Sequence, residues 1–143
     1  IVFTTTKRPD VTVVVKSIEP GGFVLEATRS ADSEGFVIRD IAVPRACAES
    51  LGLGTPSNFH TEGFPLEDQE KSDPEAIEFA RKYDSENTRW AGPVPILFGQ
   101  PLTIDLPASK PHAGLCTLSV GYERRGRFGG MSAMATVDVG MRP

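Results

Sequence analysis

Two groups of short, β-branched apolar runs stand at either end of this chain, separated by an acidic, proline-punctuated middle. The first group holds Val11–Ile18, Phe23–Thr28 and Phe36–Val43. The second holds Pro101–Leu106, Cys116–Glu123 and Met131–Met141. Runs of this length bounded by Gly, Pro, Asp and Ser read as antiparallel strands joined by turns. Neither group is large enough to bury a core alone, so the two are expected to close into one sheet system. The middle, residues 44–93, is then a long excursion between strands. Compact domains rarely carry a structureless excursion of that length, which makes it the place to look for function. The expected fold is mainly β: an antiparallel β-sandwich, jelly-roll or Ig-like, as a single domain over residues 1–143, with one short helix in the excursion.

Local signals refine this. Val11-Thr-Val-Val-Val is too continuous for a one-sided strand and reads as buried. Glu19-Pro-Gly-Gly and Asp32-Ser-Glu-Gly are turns, so the first three strands are expected to form a meander. Pro44 ends it and starts a helical turn through Cys47 to Leu51, stopped by Gly52. Asp73 suits an N-cap, Pro74 the first helical position, and Glu75 the positive end of the helix dipole. Ala76, Ile77, Ala80 and Tyr83 then recur at helical spacing, which predicts a helix over 74–83 lying on the outer face of a sheet. Trp90-Ala-Gly-Pro-Val-Pro is extended. Leu102, Ile104 and Leu106 alternate with polar residues, as do Leu118, Val120 and Tyr122, and Ala135, Val137 and Val139. Arg124-Arg-Gly-Arg-Phe-Gly-Gly reads as a glycine-rich hairpin connection.

A chain of 143 residues suits one domain, and its 39% hydrophobic and 24% charged residues are ordinary for a globular protein. No apolar stretch approaches the roughly 20 residues that span a bilayer. No signal peptide is present, and Ile1 rather than Met heads the chain, so an upstream segment is expected to be missing. The net charge of −4 argues against nucleic acid as a main partner. The cysteines, Cys47 and Cys116, either pack as free thiols or bridge. A bridge would close a loop of about 70 residues, worth roughly 4 kcal/mol by chain entropy, and would point to an extracellular or other oxidising compartment.

The candidate sites are few. Arg124, Arg125 and Arg127 cluster where a turn is expected, and guanidinium groups pair well with carboxylate or phosphate. They are the first candidate contact surface, for an acidic protein neighbour or an anionic ligand. The Arg-Gly composition superficially suggests RNA, but a single copy bracketed by strands is not the repeated box of a disordered tail. Phe64 and Trp90 fall in the excursion, where aromatics either stack on a sugar or plug the excursion onto the sheet. The acids from Glu62 to Glu75 lack the spacing of a calcium loop. His112 and Cys116, four apart in a strand, would be about 13 Å from each other, too far to share a metal. Nucleophile elbow and phosphate loop are both missing. No cofactor or metal is expected, and the balance leans against an enzyme. The expected function is a non-catalytic structural or protein-interaction domain, a subunit of a larger assembly or homo-oligomer. The alternatives are a small-ligand or carbohydrate-binding module and, third, a small enzyme with a loop-assembled site.

Overall fold

The computed structural model describes residues 2–4, 11–17, 22–29, 35–110, 114–126 and 129–141. In chain order the strands are β1 (Val2–Thr4), β2 (Val11–Ser17), β3 (Gly22–Arg29) and β4 (Phe36–Pro44), followed by helix α1 (Arg45–Leu51) and the two-residue β5 (His60–Thr61). A 3-10 turn at Asp68–Glu70 precedes helix α2 (Pro74–Glu86). Strands β6 (Asn87–Pro95), β7 (Leu102–Pro107), β8 (Gly114–Gly126) and β9 (Gly129–Met141) complete the order. They form two antiparallel sheets, ordered β1-β2-β3-β7 and β5-β6-β4-β8-β9.

One apolar core is shared by both sheets. Val11 and Val13 of β2, Phe23 and Leu25 of β3, and Ile104 and Leu106 of β7 come from the first. Phe36, Ile38, Ile41 and Val43 of β4, with Leu118, Val120 and Tyr122 of β8, come from the second. The period-2 alternation read in β7 and β8 is therefore the inward face of each strand. Burying each such side chain contributes about 1.5–3 kcal/mol. The alternation read at Ala135, Val137 and Val139 falls on side chains outside the described residues.

The expected meander is corrected. Strands β2 and β3 do pair as a hairpin, Val13 opposite Ala27. Strand β4 leaves for the other sheet, where it lies between β6 and β8. Hydrophobic periodicity reports which face of a strand is buried, and is silent about which strand lies beside it. The partner of β3 on its other edge is β7, Leu25 opposite Ile104, some 80 residues away in sequence.

The middle of the chain is also more structured than one helix. Helix α1 has seven residues and ends, as its sequence implies, at Gly52 in the left-handed conformation (φ 60°). Its C-terminal end is tied to the β7–β8 connection, where Lys110 N–H donates to the Leu51 carbonyl at 3.0 Å and Ser109 N–H to that of Gly52 at 3.2 Å. Helix α2 is capped by Asp73, whose carboxylate accepts from Glu75 N–H at 3.0 Å with Pro74 in the first turn. It runs to Glu86, three residues past the expected end. Residues 87–93, expected in the excursion, belong to β6. Among the described residues no helix is long and apolar enough to cross a membrane.

Candidate functional site

The site begins with an irregularity in β4. Simple alternation from Phe36 and Ile38 would send Asp40 into the core, where an unpaired carboxylate would be costly. A register shift between Ile38 and Asp40 inserts one residue, Arg39, relative to β8, while relative to β6 the extra residue falls on β6. Ile41 and Val43 then resume the inward face, and Asp40 and Ala42 turn to the outer face of the second sheet. Bulges that re-aim a side chain this way recur beside functional sites.

Asp40 lies in register with Gly121 of β8, and Ala42 with Arg89 of β6, so Asp40 and Arg89 meet diagonally across neighbouring strands. Arg89 Nε donates to Asp40 Oδ2 at 2.8 Å, and Nη1 donates to the Gly63 carbonyl at 3.0 Å. Arg89 is only 6% exposed, the one charged residue buried to that degree among the described residues. Arg39, half-exposed, adds a longer contact to Asp40 Oδ1 at 3.7 Å. Gly121 makes the arrangement possible, because a Cβ there would stand 2.0 Å from Asp40 Oδ1.

The segment after β5 folds over this pair. Glu62 N–H donates to the Arg89 carbonyl at 3.0 Å, and Phe64 N–H donates to Asp84 Oδ1 at 2.8 Å. Arg45 of α1 holds the end of α2 by donating to the carbonyls of Asp84 and Asn87. The Phe64 ring packs between Phe79 and Tyr83 of α2, with centroids 5.1 Å from each. Under this cover lies a cleft of about 450 Å³, lined chiefly by Arg39, Asp40, Phe64, Tyr83, Asn87 and Arg89, with Ser119 and Gly121 as its floor. That volume is within the range that holds small ligands.

Partial burial pushes the Tyr83 phenol above its ordinary range, and the nearby Asp40 carboxylate adds to the effect while Arg89 opposes it. Tyr83 thus stays a neutral hydroxyl donor throughout the physiological range. Tyr83, Asn87, Ser119 and Arg89 give the cleft polar side chains, of which Asn87 Nδ2 donates to the Tyr83 carbonyl at 3.2 Å.

Of the residues singled out from sequence, Phe64 lies in this cleft. Trp90 does not. It is 2% exposed on β6 and belongs to the shared core, so its ring is not offered to a ligand. Arg124 and Arg125 fall within β8, opposite Met131 and Gly130 of β9, so the two strands extend through most of the expected hairpin connection. Their side chains, and Arg127 altogether, lie outside the described residues. Cys47 is buried on α1 and disulfide-bonded; the Cys116 side chain lies outside the described set. Among the described residues no three of His, Cys, Asp and Glu form a metal-ligating group. Sequence reasoning missed Asp40, Tyr83 and Arg89. The available signal was Arg39-Asp40, two charges in the middle of an otherwise apolar strand.

A second surface adjoins the first. Phe79 and Ile77 of α2 are 57% and 44% exposed. Between residues 60 and 86 the chain carries nine carboxylates against three Lys and Arg. Neither a protein-family model, nor a curated protein, nor a solved structure matches the chain.

Proposed function

We propose that this chain is a non-catalytic protein-interaction domain, a subunit of a larger assembly, built as an immunoglobulin-like sandwich. The observation that carries the function is the α2 surface. Ile77 and Phe79 stand exposed on different sides of α2 within a strongly acidic stretch, so each offers an apolar anchor beside a charged rim. The preferred occupant is a basic surface of another copy. The Arg124, Arg125 and Arg127 cluster is the densest run of positive charge in the sequence. Contact between unlike surfaces of identical subunits is heterologous, which generates rings or filaments.

The strand order supports the sandwich. An immunoglobulin-type domain places its strands A, B and E in one sheet and C, F and G, with C′ beside C, in the other. Here β2-β3-β7 and β6-β4-β8-β9 follow those two orders in sequence. A jelly roll nests its pairs, which would match β3 with β8 and β4 with β7. The pairs here are β3 with β7 and β4 with β8.

The bridge of Cys47 is assigned to Cys116, the chain's other cysteine. It would staple α1 to β8 and place maturation in an oxidising compartment. Thiol counting on denatured, unreduced protein should find no free thiol; two would remove both the pairing and the compartment.

Replacing Arg124, Arg125 and Arg127 with Gln tests the contact. Thermal stability should change little while self-association weakens and loses its salt dependence. Unchanged association would reject the arginine surface.

A further inference from the structure

We infer that β7 is an open sheet edge through which two copies of the chain pair, strand to strand, about a two-fold axis at Ile104. This goes beyond the α2 contact and uses none of its residues.

Strand β7 ends its sheet, with β3 on one side and, among the described residues, no strand on the other. The immunoglobulin order fills that position with strand D. Here residues 96–101 join β6 to β7 directly, too short a link to hold a strand and its turns. Backbone direction alternates along an antiparallel strand, so one residue tells which groups face the open side. Pro107 has no N–H, and its carbonyl accepts from Gly54 N–H at 3.0 Å, away from β3. Asp105 and Thr103 therefore also turn N–H and C=O outward, while Leu106 and Ile104 turn theirs to β3. Both outward residues are exposed, and Asp105 holds no ion pair among the described residues.

This edge carries its own complement. Antiparallel pairing centred on Ile104 sets Thr103 opposite the partner's Asp105, and Asp105 opposite the partner's Thr103. Every outward N–H of the two strands then meets a carbonyl, and each Thr103 hydroxyl can donate to the facing carboxylate. On the inner face Leu102, half-buried in one copy, comes opposite the partner's Leu106. Neighbouring registers lose this fit. Centring on Asp105 sets carboxylate against carboxylate and asks for the Pro107 carbonyl, which Gly54 already holds. Centring on Thr103 sets Asp105 opposite Pro101, which has no N–H and lies outside the strand. Pro101 and Pro107 thus confine the open edge to the residues between them and favour one register. The contact is small, so free copies pair only at millimolar concentration, and more fully where an assembly holds them side by side.

The test uses ¹⁵N-labelled protein carrying Ile77→Ser and Phe79→Ser, so that failure of the α2 contact cannot be mistaken for failure of this one. Between micromolar and millimolar protein, the Thr103 and Asp105 amides should shift and exchange more slowly with solvent. The Ile104 and Leu106 amides, already bonded to β3, should keep their protection unchanged. Thr103→Asp sets carboxylate against carboxylate in both cross-strand pairs and should weaken pairing about tenfold. Adding Asp105→Thr exchanges the two residues and should restore it. Glu26, opposite Thr103 on β3, faces the new carboxylate in both variants, so its effect cancels in the comparison. Amides of Thr103 and Asp105 that ignore protein concentration, or a double variant that pairs no better than the single, would overturn the inference. Protection gained in dilute protein only on adding a blocked Val-Lys-Val-Lys-Val peptide would assign the edge to a foreign strand and overturn it as well.

Discussion

Gly121 holds the centre of the outer sheet face by having no side chain. With a Cβ 2.0 Å from Asp40 Oδ1, Gly121→Ala must displace Asp40 and loosen its pair with Arg89. The expected cost is about 2–3 kcal/mol, seen as a lower urea midpoint with an unchanged slope. Gly99→Ala is the control: no atom lies within 4 Å, so only its positive φ of 79° opposes the change, at about 1–2 kcal/mol. Equal losses at the two sites would show that Asp40 moves freely. Tyr83 gives a pH signature. Its folded-state pKa is raised, chiefly by burial, so the folded protein holds the phenol proton more tightly than the unfolded chain. That contribution is complete below the unfolded value of about 10 and is lost as pH rises from there through the folded value. The thermal midpoint of the wild type should fall over that range more steeply than that of Tyr83→Phe. Parallel curves would contradict the assignment.

Helix α2 shows how much an element can announce itself. Asp73, Pro74 and Glu75 are local signals acting on the backbone beside them, and the cap they imply is present. Asp73→Ala should cost about 1 kcal/mol, because Glu75 N–H loses its acceptor; no change in the denaturation midpoint would mean the end is held by other contacts. The same local logic placed α1, through Pro44 and Gly52. It also read Trp90–Pro95 as extended, which lies within β6, despite Pro93 and Pro95. Beyond Ala91, β6 has no strand on its outer side among the described residues, since β5 pairs only with Trp90 and Ala91. Such an edge is where a sheet tolerates proline. The bulge in β4 was equally hidden: Arg39-Asp40 puts two charges in an apolar run, but nothing local says that the alternation slips by one residue there. Without it, Asp40 could not have been placed on the outer face.

At the scale of the whole molecule, a β-rich architecture was legible because strand periodicity and turn residues are properties of short windows. The cleft was not, because it joins β4, the segment at Phe64, α2, β6 and β8, and Asp40 meets Arg89 across a sequence separation of 49. The α2 surface lies between these cases: its acidity is plain in sequence, while the exposure of Ile77 and Phe79 depends on how the helix settles. Neither side chain belongs to the core, so Ile77→Ser with Phe79→Ser should cost only about 1–2 kcal/mol, chiefly the Phe64–Phe79 ring contact, and leave the protein folded. Sedimentation velocity across protein and salt concentration measures their role directly. The wild type should associate at low salt and dissociate toward monomer as salt rises, while the double-serine protein stays folded and monomeric throughout. A wild type that is monomeric at every salt and protein concentration, indistinguishable from the variant, would contradict the assembly-subunit reading.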